Sequence, residues 1–205
     1  MKTKIFTIAT IAAIVIGIGS TALAEGNNAK NDKEVATVLT DVSRINKIEV
    51  YGNVELYVSN DESDQVKVYN RYYAEDAVVQ SRNGVLRISS YSNKKLVVWV
   101  KAADLRSISA YDNAEVRSFG KLSGIDLTVT LNNNAYAKFD FDAFSANITV
   151  NDRAKADLSG NAMECSLKYN QGATVNSTEF AAGHMVRTVD GVVASGKSSS
   201  EFAGL

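Results

Sequence analysis

Between Leu105 and Gly196, apolar and polar residues alternate in short runs. Three turn-type residues and a small apolar residue interrupt those runs at near-constant intervals. The unit reads Ile108-Ser109-Ala110, Tyr111-Asp112-Asn113, Ala114-Glu115-Val116. It returns as Val129-Thr130-Leu131, Asn132-Asn133-Asn134, Ala135-Tyr136-Ala137, and as Ile148-Thr149-Val150, Asn151-Asp152-Arg153, Ala154-Lys155-Ala156. A fourth copy is Leu167-Lys168-Tyr169, Asn170-Gln171-Gly172, Ala173-Thr174-Val175. A fifth, degraded copy is Arg187-Thr188-Val189, Asp190-Gly191-Val192, Val193-Ala194-Ser195.

The residues before the turn are Ala110, Leu131, Val150, Tyr169 and Val189, in steps of 21, 19, 19 and 20. The apolar period within each unit is two, which predicts strands and not helices. A fixed step near twenty predicts a repeat architecture in which one unit cannot bury its apolar face without its neighbours. The expected fold is therefore all-β, a parallel β-solenoid with coils of about 20 residues. The competing reading is a β-sandwich of ordinary hairpins. A sandwich gives no reason for the turn and its following Ala to recur at one interval. Asn, Asp and Gly at the turn tolerate positive φ and bond nearby backbone. Ala114, Ala135, Ala154 and Ala173 are expected at a tight inner corner.

Upstream the unit is recognisable once, as Ile48-Glu49-Val50, Tyr51-Gly52-Asn53, Val54-Glu55-Leu56-Tyr57-Val58. Val50 precedes Ala110 by 60 residues, three coils. Between them the pattern loosens into alternation at 65–70, a strand turn at Asn83-Gly84 followed by Leu86 and Ile88, and an apolar run Leu96–Val100. That run is apolar at every position, so it is expected to be covered on both faces. Residues 34–44 fit a helix by spacing and a strand by β-branched content, and either would cap the open end. Residues 34–104 read as the irregular first part, and 105–196 as the regular repeats, of one domain spanning 34–205. No Gly/Ser- or Pro-rich linker separates them.

Ile45, Ile48, Val50, Gly52-Asn53-Val54, Leu56 and Val58, the later Asn83-Gly84-x-Leu86-x-Ile88, and the turn-before-Ala repeats together resemble the head GIN domain of putative auto-transporter adhesins, common in Bacteroidota. The resemblance covers about residues 42–196. It implies an exported protein with a single-stranded β-helix-like fold, and it carries over no ligand or catalytic residue. The chain departs from the pattern in two places. Asn113, Asn134 and Arg153 stand where the family turn usually has Gly, and only Gly172 keeps it. Arg187 stands where Ile or Leu is expected.

Other segments bear on compartment. Lys2 and Lys4, an apolar run from Ile5 to Ile18, and Ala22-Leu23-Ala24 are the parts of a secretory signal cleaved after residue 24. The run is too short for a membrane span. Residues 25–33 are polar and expected to be a disordered tether. The chain is thus expected to be exported to the periplasm, the cell surface or the medium. Its 22 basic and 23 acidic residues nearly balance, which argues against nucleic acid or an anionic membrane as a partner held by bulk charge. Cys165 is the only cysteine, so no internal disulfide can form, and its alternation with Leu167 and Tyr169 places it in the core.

Chemistry-bearing constellations are few. Asp140 and Asp142 share an outward strand face between Phe139 and Phe141, and two carboxylates are what glycoside hydrolysis needs. Asp112, Asp152 and Asp190 are too scattered to form a calcium roll, and their neighbouring Asn side chains are expected to bond along the turns. One His (His184) and one Cys cannot complete a zinc site. No cofactor is implied. Tyr69-Asn70-Arg71-Tyr72-Tyr73 is the aromatic cluster suited to sugars or peptides, with Tyr69, Arg71, Tyr72 and Tyr73 as candidate binding residues. The expected function is a non-enzymatic adhesin-like binding module for a surface glycan or envelope protein, monomeric or weakly oligomeric. A carbohydrate-active enzyme using Asp140 or Asp142, and a self-associating structural protein, are the alternatives.

Overall fold

A computed structural model of the chain describes residues 36–39, 42, 44–69, 77–189 and 192–196. The expected export signal and tether lie outside the described residues. The strands are β1 (Ala36–Leu39), β2 (Lys47–Gly52), β3 (Val54–Asn60), β4 (Gln65–Tyr69), β5 (Ala77–Arg82), β6 (Val85–Ser90) and β7 (Leu96–Ala102). They continue with β8 (Ser107–Ala110), β9 (Glu115–Ser118), β10 (Leu122–Leu131), β11 (Tyr136–Val150), β12 (Lys155–Tyr169), β13 (Thr174–Val189) and β14 (Val192–Gly196). No helix occurs among the described residues. Within 34–44 the β-branched composition prevails, and β1 is a strand.

All fourteen strands belong to one curled sheet in the order β1-β4-β7-β3-β9-β11-β10-β8-β2-β6-β5, with β12, β13 and β14 continuing from β11. The repeats of the sequence are the rungs of its parallel part. Ile88, Val50, Ala110, Leu131, Val150, Tyr169 and Val189 are successive register partners. Val98, Leu56, Val116, Ala137, Ala156 and Val175 form a second such line. The long strand β11 takes part in both, pairing β9 through residues 136–138 and β10 through residues 141–150. It thereby joins two stacks of strands into one surface.

The sheet is mixed, where the repeat period predicts parallel strands alone. β1–β4, β4–β7, β5–β6 and β13–β14 pair antiparallel. For β5–β6 and β13–β14 the physical reason is connection length. β5 and β6 are joined by Asn83-Gly84 alone, both at positive φ (51° and 81°), and a two-residue link can only reverse the chain. Parallel neighbours need a full return path: residues 61–95 supply it for the parallel pair β3–β7, and β4, lying within that path, runs back along both β7 and β1.

Period-two alternation directs the apolar side chains to one core. Ile48, Val50, Leu86, Ile88, Ile108, Val129, Leu131, Ile148 and Val150 from one line, and Val54, Leu56, Val58, Val98, Val116, Ala137 and Ala156 from the other, are buried in a single cluster. Phe139 and Phe141 are fully buried, while Asp142 is exposed. β7 departs from expectation. Leu96, Val98 and Val100 are buried, but Val97 and Trp99 are only half-buried, because aromatic side chains and not a second layer cover that outer face.

The turns carry their own ladder. Asp112, Asn133 and Asp152, the middle turn residues, have φ near 60°. Asn133 Oδ1 accepts the Asp112 amide at 3.1 Å, and Asp152 Oδ2 accepts the Asn133 amide at 2.8 Å. Asn151 Nδ2 donates to Asn132 Oδ1 at 2.8 Å, and Asn134 Nδ2 to Asn113 Oδ1 at 3.3 Å. Gly172 has no positive φ. A Cβ there would fall 2.4 Å from the Asp152 carbonyl oxygen, so it is room and not conformation that requires Gly. Ala114, Ala135 and Ala154 are fully buried behind these turns, and Ala173 partly. Arg187 aligns with buried Leu167 on the last parallel strand, where the guanidinium stays exposed and reaches Ser177 at 2.9 Å. Gly191 lies outside the described residues.

The facing assigned to β11 has a direct check. Val150→Asp puts an unpaired charge in the core and should cost about 3–5 kcal/mol of unfolding free energy. Thr149→Asp lies on the outer face beside Thr130 and Lys168 and should change it by about 0.5 kcal/mol or less. Urea unfolding of the two variants measures the difference, and equal stabilities would contradict the assignment.

Candidate binding face

Inward placement of Leu56, Val98 and Val116 forces Glu55, Tyr57, Val97, Trp99, Glu115 and Arg117 to the outer face. Register then aligns Trp99, Tyr57, Arg117, Lys138 and Asp157 in one row, and Val97, Glu55, Glu115, Tyr136 and Lys155 in the next. The Tyr57 and Trp99 rings stack at 4.7 Å and 21°. Tyr69 meets the Trp99 ring edge-on at 6.5 Å, and Phe119 meets it at 5.0 Å. Phe119 is 61% exposed, so the aromatic cluster opens to solvent on that side.

An ionic row adjoins the rings. Arg117 pairs with Glu115 at 3.2 Å and approaches Glu55 at 3.5 Å, and Lys95 pairs with Glu115 at 2.5 Å. Arg117 Nε is screened from solvent and has no hydrogen-bond partner, so its approach to Glu55 is electrostatic and not a directed bond. The same guanidinium lies 5.2 Å from the centre of the Tyr136 ring. Tyr57 donates its hydroxyl to Glu55 at 2.8 Å, and Tyr136 donates to Asp157 at 2.6 Å. The bond to Glu55 and then burial raise the Tyr57 phenol above its usual range. Burial and then the Asp157 bond do the same for Tyr136. The Lys95 bond, and more weakly the Arg117 bond, hold the Glu115 carboxyl below its usual range against the opposing effect of burial. At neutral pH the face therefore presents fixed charges and fixed donors beside open ring edges.

A second row lies across the Gly52-Asn53 turn. Tyr51 and Tyr111 stack at 4.6 Å and 4°, with the Arg87 guanidinium 6.0 Å from the Tyr51 ring. Glu49, nearly buried, accepts from Lys47 at 2.8 Å and Arg87 at 2.7 Å. Gly52 (φ 79°) lets the chain pass beside Ser90, whose carbonyl oxygen a Cβ would meet at 2.1 Å, while Asn53 Nδ2 bonds Ser92 O. The turn edge forms an open concavity of about 500 Å³ lined by Asp112, Asn113, Asn133, Asn134, Asp152 and Arg153.

Of the residues expected to bind, Tyr69 joins the Trp99 cluster, and Arg71, Tyr72 and Tyr73 lie outside the described residues. Trp99, Phe119, Glu55, Glu115 and Arg117 were not singled out by sequence. They are far apart in the chain, and only aligning the outward positions of β3, β7 and β9 brings them together. Asp140 and Asp142 share the outward face of β11, with Ser159 and Asn161 as register neighbours. No group of three or more His, Cys, Asp or Glu among the described residues is placed to hold a metal ion. Burial pushes the Cys165 thiol up to about 11, which leaves it protonated in the core.

The strands and their outward side chains define an all-β repeat domain with an aromatic and ionic outer face. In particular, the chain belongs to the family described as putative auto-transporter adhesin, head GIN domain, whose model matches residues 44–196. Solved structures share the fold. A putative adhesin from Bacteroides fragilis has a TM-score of 0.60 at 16% identity, covering 76% of this chain and 78% of its own. A putative adhesin from Parabacteroides distasonis has a TM-score of 0.55 at 19% identity, covering 76% and 77%. A putative lipid binding protein from the same species has a TM-score of 0.56 at 10% identity, covering 78% and 79%. No curated protein matches the chain. No helix among the described residues is long and apolar enough to cross a membrane.

The Glu49 cluster sets a pH dependence. Bonds from Lys47 and Arg87 hold its carboxyl below the usual 4.5, so its stabilisation is present above that value and lost as the pH falls through the lowered one. Glu49→Gln should cost about 1–3 kcal/mol at neutral pH. The gap from the parent should narrow as the pH drops below 4.5, measured by urea unfolding across the acid range.

Proposed function

We propose that this protein is an exported, non-enzymatic binding module of the periplasm, cell surface or medium, and that its ligand is a surface or envelope glycan. It winds as a β-solenoid. The in-register lines of residues about twenty apart support that reading, with the antiparallel hairpins serving as its ends. The family membership supports a surface role, and the basic start, apolar run and Ala22-Leu23-Ala24 support export.

The observation that carries the ligand class is the Trp99 cluster beside the Arg117 row. Aromatic rings take the apolar faces of sugar rings, and carboxylate, guanidinium and ammonium groups take the hydroxyls. The groups are held by one another before any ligand arrives, which lowers the ordering cost of binding. The face runs across several strands and suits an extended ligand.

A glycan array together with purified envelope polysaccharides tests the reading. The parent should bind at least one polymer, and Phe119→Ala with Trp99→Ala should weaken that binding about tenfold or more while circular dichroism stays unchanged. Undiminished binding by the variant would move the site elsewhere. Absence of binding to any glycan would reject the ligand class.

A further inference from the structure

Three exposed large apolar side chains occupy one position on three successive coils. Ile125, Phe144 and Met163 are 75%, 55% and 59% exposed. Gly124 pairs with Ala143 and Asp126 with Ser145, which sets Ile125 opposite Phe144. Ala143 pairs with Ala162 and Ser145 with Glu164, which sets Phe144 opposite Met163. On the next coil the place belongs to Gly183, where a Cβ would meet the Met163 carbonyl oxygen at 3.0 Å and its sulfur at 3.4 Å.

The backbone explains why these side chains point outward, and not why they are apolar. At this corner the alternation slips, so that two consecutive residues face solvent between buried Ala143 and Ala146, and again between Ala162 and Cys165. The second of each pair is polar (Ser145, Glu164). The first is apolar, although Gly183 shows that the corner needs no large side chain. A single exposed apolar residue is ordinary, but a stacked column of them is a patch.

The rim of the column is mainly acidic, and the cation that neighbours it on the preceding rung, Arg106, faces Asp126 but is paired with Asp104 at 2.8 Å. Across residues 123–128, 142–147, 161–166 and 181–186 the charged side chains are Asp126, Asp142 and Glu164, with His184 and no Lys or Arg. None of the three carboxylates is in an ion pair among the described residues, and all are exposed. A second copy docked by its own column would bring carboxylate rims together, and an anionic lipid surface would be repelled likewise. We propose that this corner docks a cationic amphipathic segment of a partner protein. Its apolar side chains cover Ile125, Phe144 and Met163, and its Lys or Arg residues meet Asp126, Asp142 and Glu164. Rungs roughly 4.8 Å apart make the column only about 10 Å long, so the contact is weak, of order tens of micromolar, and salt-sensitive. The site is separate from the Trp99 face and does not depend on the glycan reading.

The test uses the full chain and a synthetic peptide of alternating Leu and Lys, with a Leu/Glu peptide as control, followed by calorimetry at low and high salt. The Leu/Lys peptide should bind and weaken with salt, and the control should not bind. Phe144→Ser/Met163→Ser and Asp142→Asn/Glu164→Gln should each reduce affinity about tenfold, with circular dichroism and glycan binding unchanged. No binding, equal binding of both peptides, or affinity unmoved by either double variant would overturn the proposal. Dimerisation of the parent, or its uptake by neutral phosphatidylcholine vesicles, abolished by Phe144→Ser/Met163→Ser would also overturn it, by identifying a different occupant.

Discussion

The hydrogen bond from the Asn133 amide to the Asp152 carboxylate is one of a set that fixes each turn on the next. Parallel strands must stay in register for their inward residues to remain inward, because a slip of one residue would turn every apolar side chain outward. Backbone pairing alone does not choose the register. The turn does, by placing a left-handed residue at Asp112, Asn133 and Asp152 and reading the first two with a side chain from the following repeat. Burial of Ala114, Ala135 and Ala154 directly behind the turns leaves no space for an alternative packing.

The outer faces inherit that register. Trp99, Tyr57 and Arg117 come from three strands that are not consecutive in the chain, yet they stand in one row because Val98, Leu56 and Val116 do. The aromatic stack and the ionic row are therefore by-products of core alignment that sequence has then specialised. Mutual contacts keep them in place. Arg117 is held between Glu115, Glu55 and the Tyr136 ring, a degree of constraint unusual for a surface guanidinium.

Much of the architecture was legible in the sequence, and the reason is periodicity. Ala110, Leu131, Val150, Tyr169 and Val189 were set apart by a turn pattern alone, and they are register partners. The antiparallel pairings of β4, β5 and β14 were not legible as such. A strand's alternation looks the same whether its neighbour runs with it or against it; the two-residue link Asn83-Gly84 signals a reversal, whereas Asp190-Gly191 reads equally as the turn of a fifth repeat. The cover on the outer face of β7 is not legible for a related reason. Val97 and Trp99 are as apolar as buried residues, and nothing local distinguishes cover by a second layer from cover by Tyr57 and Phe119. Tyr69 was found because its neighbours in sequence are aromatic. Trp99 and Phe119 were not, because their partners lie tens of residues away.

The antiparallel strands at the ends have a consequence for how such a chain can change over generations. β5 and β1 close one extremity and β14 the other, and none of them offers the pairing geometry of the interior rungs. β14 covers Met185–Val189 of the last parallel strand, and the earlier part of β13 pairs with β12 alone among the described residues. Interior units, by contrast, are interchangeable in step and turn. A duplication or loss of about twenty residues between two turns leaves both extremities intact and lengthens or shortens the displayed surface by one rung, roughly 4.8 Å. The extent of the sheet is then adjustable in small, fixed increments without redesign of the core.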